Sequence, residues 1–504
     1  MCRPPESALT KLVNAMPATF SVTSVPVSRR RLLALPAAAA AATVTAGALP
    51  DPASASSDRP RHLVDPTLSG PVARAYRYLD VVQDAYLKGA EPRLLQSYNN
   101  ESGLMTAAFV YDNALAMLAY LANPSVANVR RARLIGDAFL WIQANDEAFS
   151  DGRVRQAYAA GPMQFYGGGA YFPGLKREDG KAAFLWPYGF GGSSVGDMAW
   201  TGLALAQLYV DTRIPRYLDG AVALGAWIAA RESGYVNGGY HGGLQADGVT
   251  PQKWCSTEHN IDTYALFTLL AKLTRDRRWT HRATVAAGFV RNMWNPADRF
   301  LWTGTLGGNP GEDPNLINTG NIPEDVQTWA VLGMGDKRYD ASLDWVTGNL
   351  WNTDGGGTTQ LPEGVRVSGV TYSSQAKSLT GPVSGSDLPN NRNAVWLEGN
   401  GHAALALLTR KDTGDRGVAK RLLGETVVAQ RKVGAGQTVG RTTDPQDGKL
   451  SEGNWNGTAL PDKSGIVAAT SAFDTGFAFG YFQRQHVGAT SWFLMAAQNF
   501  NPYT

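Results

Sequence analysis

The chain has 504 residues, 44% hydrophobic, 18% charged and 10% aromatic, which is enough apolar matter for a substantial folded core. A formal charge of +3 gives no electrostatic case for nucleic acid or an anionic lipid surface as partner. The two cysteines, Cys2 and Cys255, exclude a disulfide framework and a cysteine-rich metal site.

The first element is a leader. The stretch SRRRLLALPAAAAAATVTAGALPDPASAS begins at Ser28 and resembles the bacterial twin-arginine export pattern. Its Arg29-Arg30 pair and Leu32-Leu33 precede an alanine-rich apolar run and a small-x-small cleavage site, Ala53-Ser54-Ala55. We expect residues 1–55 to be a cleaved signal, 56–65 a short linker and 66–504 a single secreted domain. The leader carries Arg3, Lys11, Arg29, Arg30 and Arg31 against Glu6 and Asp51. That excess accounts for the whole charge of the chain, so the mature protein is neutral and suits a neutral partner, with no membrane association after cleavage.

Beyond the leader, two kinds of helical segment alternate. SGPVARAYRYLDVVQDAYLKG, VANVRRARLIGDAFLWIQAN and YLDGAVALGAWIAARE carry apolar residues on one face. FVYDNALAMLAYLA, GGSSVGDMAWTGLALAQLYV, CSTEHNIDTYALFTLLAKL, GNIPEDVQTWAVLGM, NAVWLEGNGHAALALLT and HVGATSWFLMAAQNF are apolar nearly all round, the signature of a buried helix. Five of these six begin with acids: Asp112, Asp197, Glu258 with Asp262, Glu324 with Asp325, and Glu398. Asp474 precedes the sixth. The glycine-rich stretches 233–254 and 300–323 predict loops or short hairpins, and 351–389 predicts a long irregular excursion. Long loops in a compact domain are usually functional or disordered, and the aromatics in these favour function.

Alternation at this long period suggests a ring of helical hairpins. YDNALAML, VGDMAWTGLAL, STEHNIDTYAL, FDTGFAFGYF and GATSWFLMAAQNFNPY, in that order, resemble the six-hairpin (α/α)6-toroid superfamily of glycoside hydrolases, polysaccharide lyases and sugar epimerases. The resemblance covers about residues 65–504. It implies an all-α toroid, with short β-hairpins and long loops on the active-site face. It also implies inner helices whose N-termini converge on the floor of a funnel, and, among hydrolases, inversion of configuration.

Candidate catalytic groups are the acids at these helix starts. Ser256 or Thr257 caps the helix that carries Glu258, and a carboxyl there serves as general acid only if its pKa is raised. The helix dipole opposes that shift; the like charge of Asp262, four residues on, favours it. Glu398 is the candidate opposed carboxylate, with Asp197 and Asp112 as competitors. In the ring Asp197 falls opposite Glu398, and Asp112 opposite Glu324 and Asp325. Simple helix capping is the alternative role for each acid. Candidate sugar-binding groups are Trp186, Tyr188, Trp200, Tyr240, His241, His259, Trp329, Trp396 and His402, whose flat apolar faces or ring nitrogens suit a pyranose.

No metal or cofactor is expected. No His or Cys pair has ligand spacing, GNPGEDPN lacks the regular calcium-loop pattern, and no phosphate loop or nucleophile elbow is present. We therefore expect a secreted glycoside hydrolase cleaving a neutral glycan with two carboxylates. The alternatives are a lyase using Asn237, Tyr240 and His241 on a uronate, a non-catalytic carbohydrate-binding toroid, and a sugar isomerase or epimerase.

Overall fold

The computed structural model describes residues 63–87, 89–99, 104–164, 171–186, 189–440 and 457–504. The leader lies outside them.

Among the described residues, twelve α-helices form two concentric rings. The inner ring is α2 (Val110–Ala122), α4 (Val195–Thr212), α6 (Thr257–Thr274), α8 (Glu324–Met334), α10 (Leu397–Arg410) and α12 (Val487–Ala497). Each packs on the next, and α12 closes against α2. The outer ring is α1 (Ser69–Gln83), α3 (Val126–Ala144), α5 (Pro215–Ala229), α7 (Arg277–Asn292), α9 (Ser342–Asn349) and α11 (Asp415–Lys432). The first helix of the chain, α1, packs against the last, α12, so the ring is closed by its two ends. The expected (α/α)6 toroid is the fold observed.

Composition explains the division. Every residue of α12 is buried, and in α2 all but Tyr111 and Ala122 are. Such helices have no solvent face. In α7 the buried residues are Trp279, Ala283, Ala286, Phe289 and Val290, a single stripe, and most of the rest is polar.

The connections differ sharply between the two ends of the toroid. Four inner helices pass to outer ones through tight turns, Asn123–Ser125, Arg213–Ile214, Arg275–Asp276 and Lys411–Gly414, and α8 reaches α9 through the short segment 335–341, which holds a 3-10 turn at Lys337–Tyr339. Arg213, Arg275 and Lys411 sit in the left-handed region, with φ of 57°, 58° and 66°, which ends each helix abruptly. Outer helices return to inner ones through long segments, 84–109, 145–194, 230–256, 293–323, 350–396 and 433–486. All of these arrive at the N-terminal ends of the inner helices, so the large loops gather on one face.

Short antiparallel pairs stiffen those loops. Ala107–Phe109 pairs with Ala157–Ala159, and Gly304–Thr305 with Ile317–Asn318. Ser193–Ser194, Gly243–Leu244 and Pro251–Gln252 make a three-stranded sheet. One expectation needs correction: 351–389 is not irregular throughout. Trp351–Asp354 pairs with Val367–Val370, which is buried on both faces against α10 and α11. A strand covered on both sides lacks the alternation that would reveal it in sequence. No helix of the described residues is long and apolar enough to cross a membrane.

Candidate functional site

The six inner helices start alike. At the fourth residue of each, a side chain clamps the incoming loop. Asn113 accepts from the Leu95 amide and donates to the Leu95 carbonyl (2.7 and 3.1 Å). Asn260 does the same for Tyr240 (2.9 and 3.2 Å), and Gln327 for Leu301 (2.8 and 2.9 Å). Asn400 accepts from Val370 (3.0 Å), and Thr490 from Ile466 (2.9 Å). In α4 the position is Met198, whose Sδ meets the Val154 amide at 3.5 Å. These bonds satisfy buried backbone groups and fix each loop over the end of its helix.

The second residue of each helix is Tyr111, Gly196, Glu258, Asp325, Glu398 or Gly488. The two glycines give room to neighbours. A Cβ on Gly196 would lie 2.5 Å from the His259 ring. One on Gly488 would lie 2.6 Å from Asp112 Oδ1, 2.7 Å from His486 Cε1 and 3.1 Å from Glu398 Oε2. Gly488→Ala is therefore expected to destabilise the protein by about 1–3 kcal/mol through overpacking, read as a lowered melting temperature. An unchanged melting temperature would show that this cluster can yield.

Around Gly488 lies a bonded network. Tyr111 donates its hydroxyl to Glu398 Oε1 at 2.7 Å and receives the Trp492 indole N–H at 3.0 Å. His486 caps α12: its Nδ1 accepts from the Ala489 amide at 3.2 Å, so Nε2 carries the proton and donates to Asp112 Oδ1 at 3.0 Å. His402 lies between two acids, its Nδ1 3.1 Å from Glu324 Oε2 and its Nε2 3.7 Å from Glu398 Oε1. The indoles of Trp492, Trp396 and Trp329 surround this imidazole edge-on, with centroids at 4.4, 5.0 and 5.2 Å.

Burial then sorts the protons. Glu258 and Asp197 keep part of their surface accessible, yet protein surrounds them as it would a core residue, as at the bottom of a recess. Burial, with Asp325, Asp262 and Asp197 adding negative charge, pushes the Glu258 carboxyl well above its ordinary range. Burial also lifts Asp197 to about 7, against the opposing bond from Ser194 (2.7 Å), and lifts Asp325 to about 7 with help from Glu324. Burial would raise Glu398 too, but His402 first, and Tyr111 with it, outweigh burial and hold this carboxyl below its usual value. His402 is the converse: burial would lower it, but Glu324 and Glu398 raise it to about 9, so it is an imidazolium at neutral pH. The floor thus holds protonated Glu258 and ionised Glu398 together, on α6 and α10, with α8 between them.

The other candidates fall at different depths. Asp112 is buried beside Glu398 as the acceptor for His486. Asp262 lies one turn below Glu258, fully buried, accepting from the Tyr503 hydroxyl at 2.8 Å. Trp200 and Trp329 are buried and form a plug beneath the acids, with centroids 5.1 Å apart, whereas Trp396, also buried, sits at the start of α10 against Tyr372 and Tyr481. His259 is half-buried over Gly196 with Trp254 beside it (5.3 Å), and burial lowers it to about 4, so it is neutral. His241 is half-buried, and Trp186 is exposed. Tyr188 lies outside the described residues. Tyr240 does not face the funnel: its ring is buried against Phe267 and its hydroxyl donates to the Arg282 carbonyl. Sequence reasoning placed it in an open loop because its glycine neighbours hide the fact that Asn260 draws this segment onto α6.

Sequence reasoning also missed Tyr111, Tyr372, Tyr481, Tyr503 and His486. Tyr372 and Tyr481 are half-exposed and stand against Trp396, at 4.7 and 5.8 Å. His486 immediately precedes an all-apolar helix, the usual place for a cap, which was the available signal. Among the described residues, no group of acids, histidines and cysteines has the arrangement of a metal site.

No protein-family model and no curated protein matches the chain. Solved structures do. A sugar epimerase from a ruminal bacterium shares 11% identity, with 84% of this chain and 98% of that one covered and a TM-score of 0.50. A D-mannose isomerase shares 12% identity, with 86% and 97% covered and a TM-score of 0.50. A GH76 α-mannanase from Bacteroides thetaiotaomicron shares 14% identity, with 86% and 97% covered and a TM-score of 0.47. At these identities the likeness shows the fold. The chain is an (α/α)6 toroid.

Proposed function

We propose that this chain is a secreted glycoside hydrolase that cleaves a neutral poly- or oligosaccharide, with residues 66–504 as its catalytic domain. Glu258 is the general acid and Glu398 the general base. The observation that carries this reading is the contrast between two carboxyls on one recessed floor: Glu258 stands among other acids, and Glu398 is held by the Tyr111 hydroxyl and faced by His402. Such a contrast lets one group donate a proton to the leaving oxygen while the other withdraws one from water. Glu258 and Glu398 stand on inner helices that are not neighbours in the ring. That supports the wider carboxylate spacing, about 6.5–9.5 Å, that admits a water and inverts configuration. Asp112 and Asp262 act as positioning groups, one through His486 and one beneath Glu258. Half-exposed Tyr111, Tyr372 and Tyr481 offer hydroxyls and flat faces to a sugar.

The same features argue against the alternatives. A lyase needs a free base and cations for the uronate. Tyr240 is committed to Arg282, and the ion pairs of these floor carboxylates among the described residues are made by histidine, not by arginine or lysine. An epimerase or isomerase working through histidine needs a ring nitrogen free to carry protons. Both ring nitrogens of His486 are bonded, and His402 lies 3.1 and 3.7 Å from two carboxylates; His259, neutral and half-buried, is the floor histidine that such a mechanism would use.

The test is a product screen of the mature protein on neutral and uronate-containing glycans, read by mass and by NMR. The expected result is water-added products with new reducing ends, abolished in Glu258→Gln and in Glu398→Gln. Unsaturated products would make it a lyase. Products of unchanged mass and altered configuration would make it an epimerase or isomerase. Binding without turnover would leave a carbohydrate-binding toroid.

A further inference from the structure

The hairpin Phe473–Asp474/Gly480–Tyr481 projects a short tip, residues 475–479. Side chains alternate along it. Phe477 and Phe479 turn to one side, where their rings meet Tyr372 at 5.8 and 5.7 Å. Gly476 and Ala478 turn to the other and line a separate cavity of about 300 Å³ with Gln375, Thr380, Ser384, Asn390 and Asp474. The tip is therefore a thin partition. On one side aromatic rings run from the floor, His402 to Trp396 to Tyr372, and end at Phe479, which is 36% exposed. On the other side is a polar chamber of the size that holds a small ligand.

The chamber is built rather than incidental. Asp474 accepts from the Ser384 amide at 2.9 Å and from the Ser384 hydroxyl, and its other oxygen accepts from the Gly476 amide at 2.9 Å. Asn390 accepts from the Asp474 amide at 3.0 Å and donates to the Leu379 carbonyl at 2.9 Å. These bonds hold the wall rigid by pairing the Asp474, Asn390 and Ser384 side chains with one another and with the backbone, and Asp474 Oδ1 and Asn390 Oδ1 each keep a second lone pair for a hydroxyl-rich ligand. An anionic sugar would meet Asp474, so the occupant is neutral.

We propose that this tip is a saddle for an oligosaccharide: one sugar stacks on Phe479 beside Tyr372, and a further sugar of the same chain sits in the Asp474 chamber. The inference rests on the hydrolase reading and deepens it, because it makes the protein selective for chains longer than the pair of sugars at the floor.

The test is a ladder of neutral oligosaccharides from two to six units, with wild type, Phe479→Ala and Thr380→Trp, the last filling the chamber from its exposed edge. Turnover is read as kcat/KM and binding by calorimetry, with circular dichroism to show that each variant is folded. Wild-type kcat/KM is expected to climb with chain length, and both variants to lose about tenfold on the long members while keeping the disaccharide rate. Equal rates for wild type and variants at every length, or a uniform loss at every length, would overturn the saddle and leave the hydrolase reading standing. If no glycan is cleaved but long chains bind, and bind less well to both variants, the hydrolase reading fails and the saddle stands. Absence of both turnover and binding across the ladder would overturn both.

Discussion

Glu258→Gln is expected to lower kcat/KM by about two to four orders of magnitude while leaving the fold intact. Glutamine keeps the shape and the hydrogen-bonding capacity of the protonated acid but has no proton to give. Wild-type activity should fall on the alkaline side as Glu258 loses its proton, at a pH well above the ordinary glutamate range. The residual activity of the variant should lack that limb. Stability falls with rising pH as well. A carboxyl whose pKa is raised on folding binds its proton more tightly in the folded state. Its contribution is therefore full at low pH and declines as pH rises from the unfolded value toward the folded one. Glu258→Gln should flatten that decline, measured by urea unfolding at several pH values. If the variant kept most of its activity, the proton would have to come from Asp325 or Asp197, the two groups raised to about 7.

The architecture was legible in the sequence because burial of a helix on all sides leaves a mark that cannot be imitated by a surface helix. The segments holding Asp112, Asp197, Glu258, Glu324, Glu398 and His486 are the six inner helices. The acids at their starts were legible for the same reason: a charge at the edge of an apolar run stands out. What the sequence hid was depth. Asp262 and Glu258 lie four positions apart, yet one is sealed under Tyr503 and the other is partly open. Trp200 and Trp329 looked like sugar platforms because they follow glycine-rich loops, yet one turn into the helix places them in the plug. The clamp at the fourth helical residue was also hidden, because Asn, Gln, Thr and Met share no common chemistry except a polar or soft atom within reach of a backbone group. Tyr240 was misplaced through that clamp. The pairing of Trp351–Asp354 with Val367–Val370 escaped because both faces of the second strand are covered.

His402→Gln is expected to destabilise the protein by about 3–5 kcal/mol, the cost of leaving a buried charge without its partner. The imidazolium serves Glu324 and Glu398 at once, in a cage of three indoles that shuts out water. Because its pKa rises from 6.5 to about 9 on folding, its contribution is fully present below about 6.5 and is lost as pH rises through about 9. Urea unfolding at pH 6 and pH 9 should therefore show a large gap between wild type and variant at the lower pH and a smaller one at the higher. An equal gap at both would mean that His402 acts as a neutral spacer. Removing Glu324 together with His402, as Glu324→Gln with His402→Gln, should cost less than His402→Gln alone, since a buried carboxylate no longer goes unpaired. Activity supplies an independent readout. Glu398 owes its low pKa first to His402, so His402→Gln should move the acid limb of the pH–rate profile upward. A role confined to packing would lower stability and leave that limb where it was.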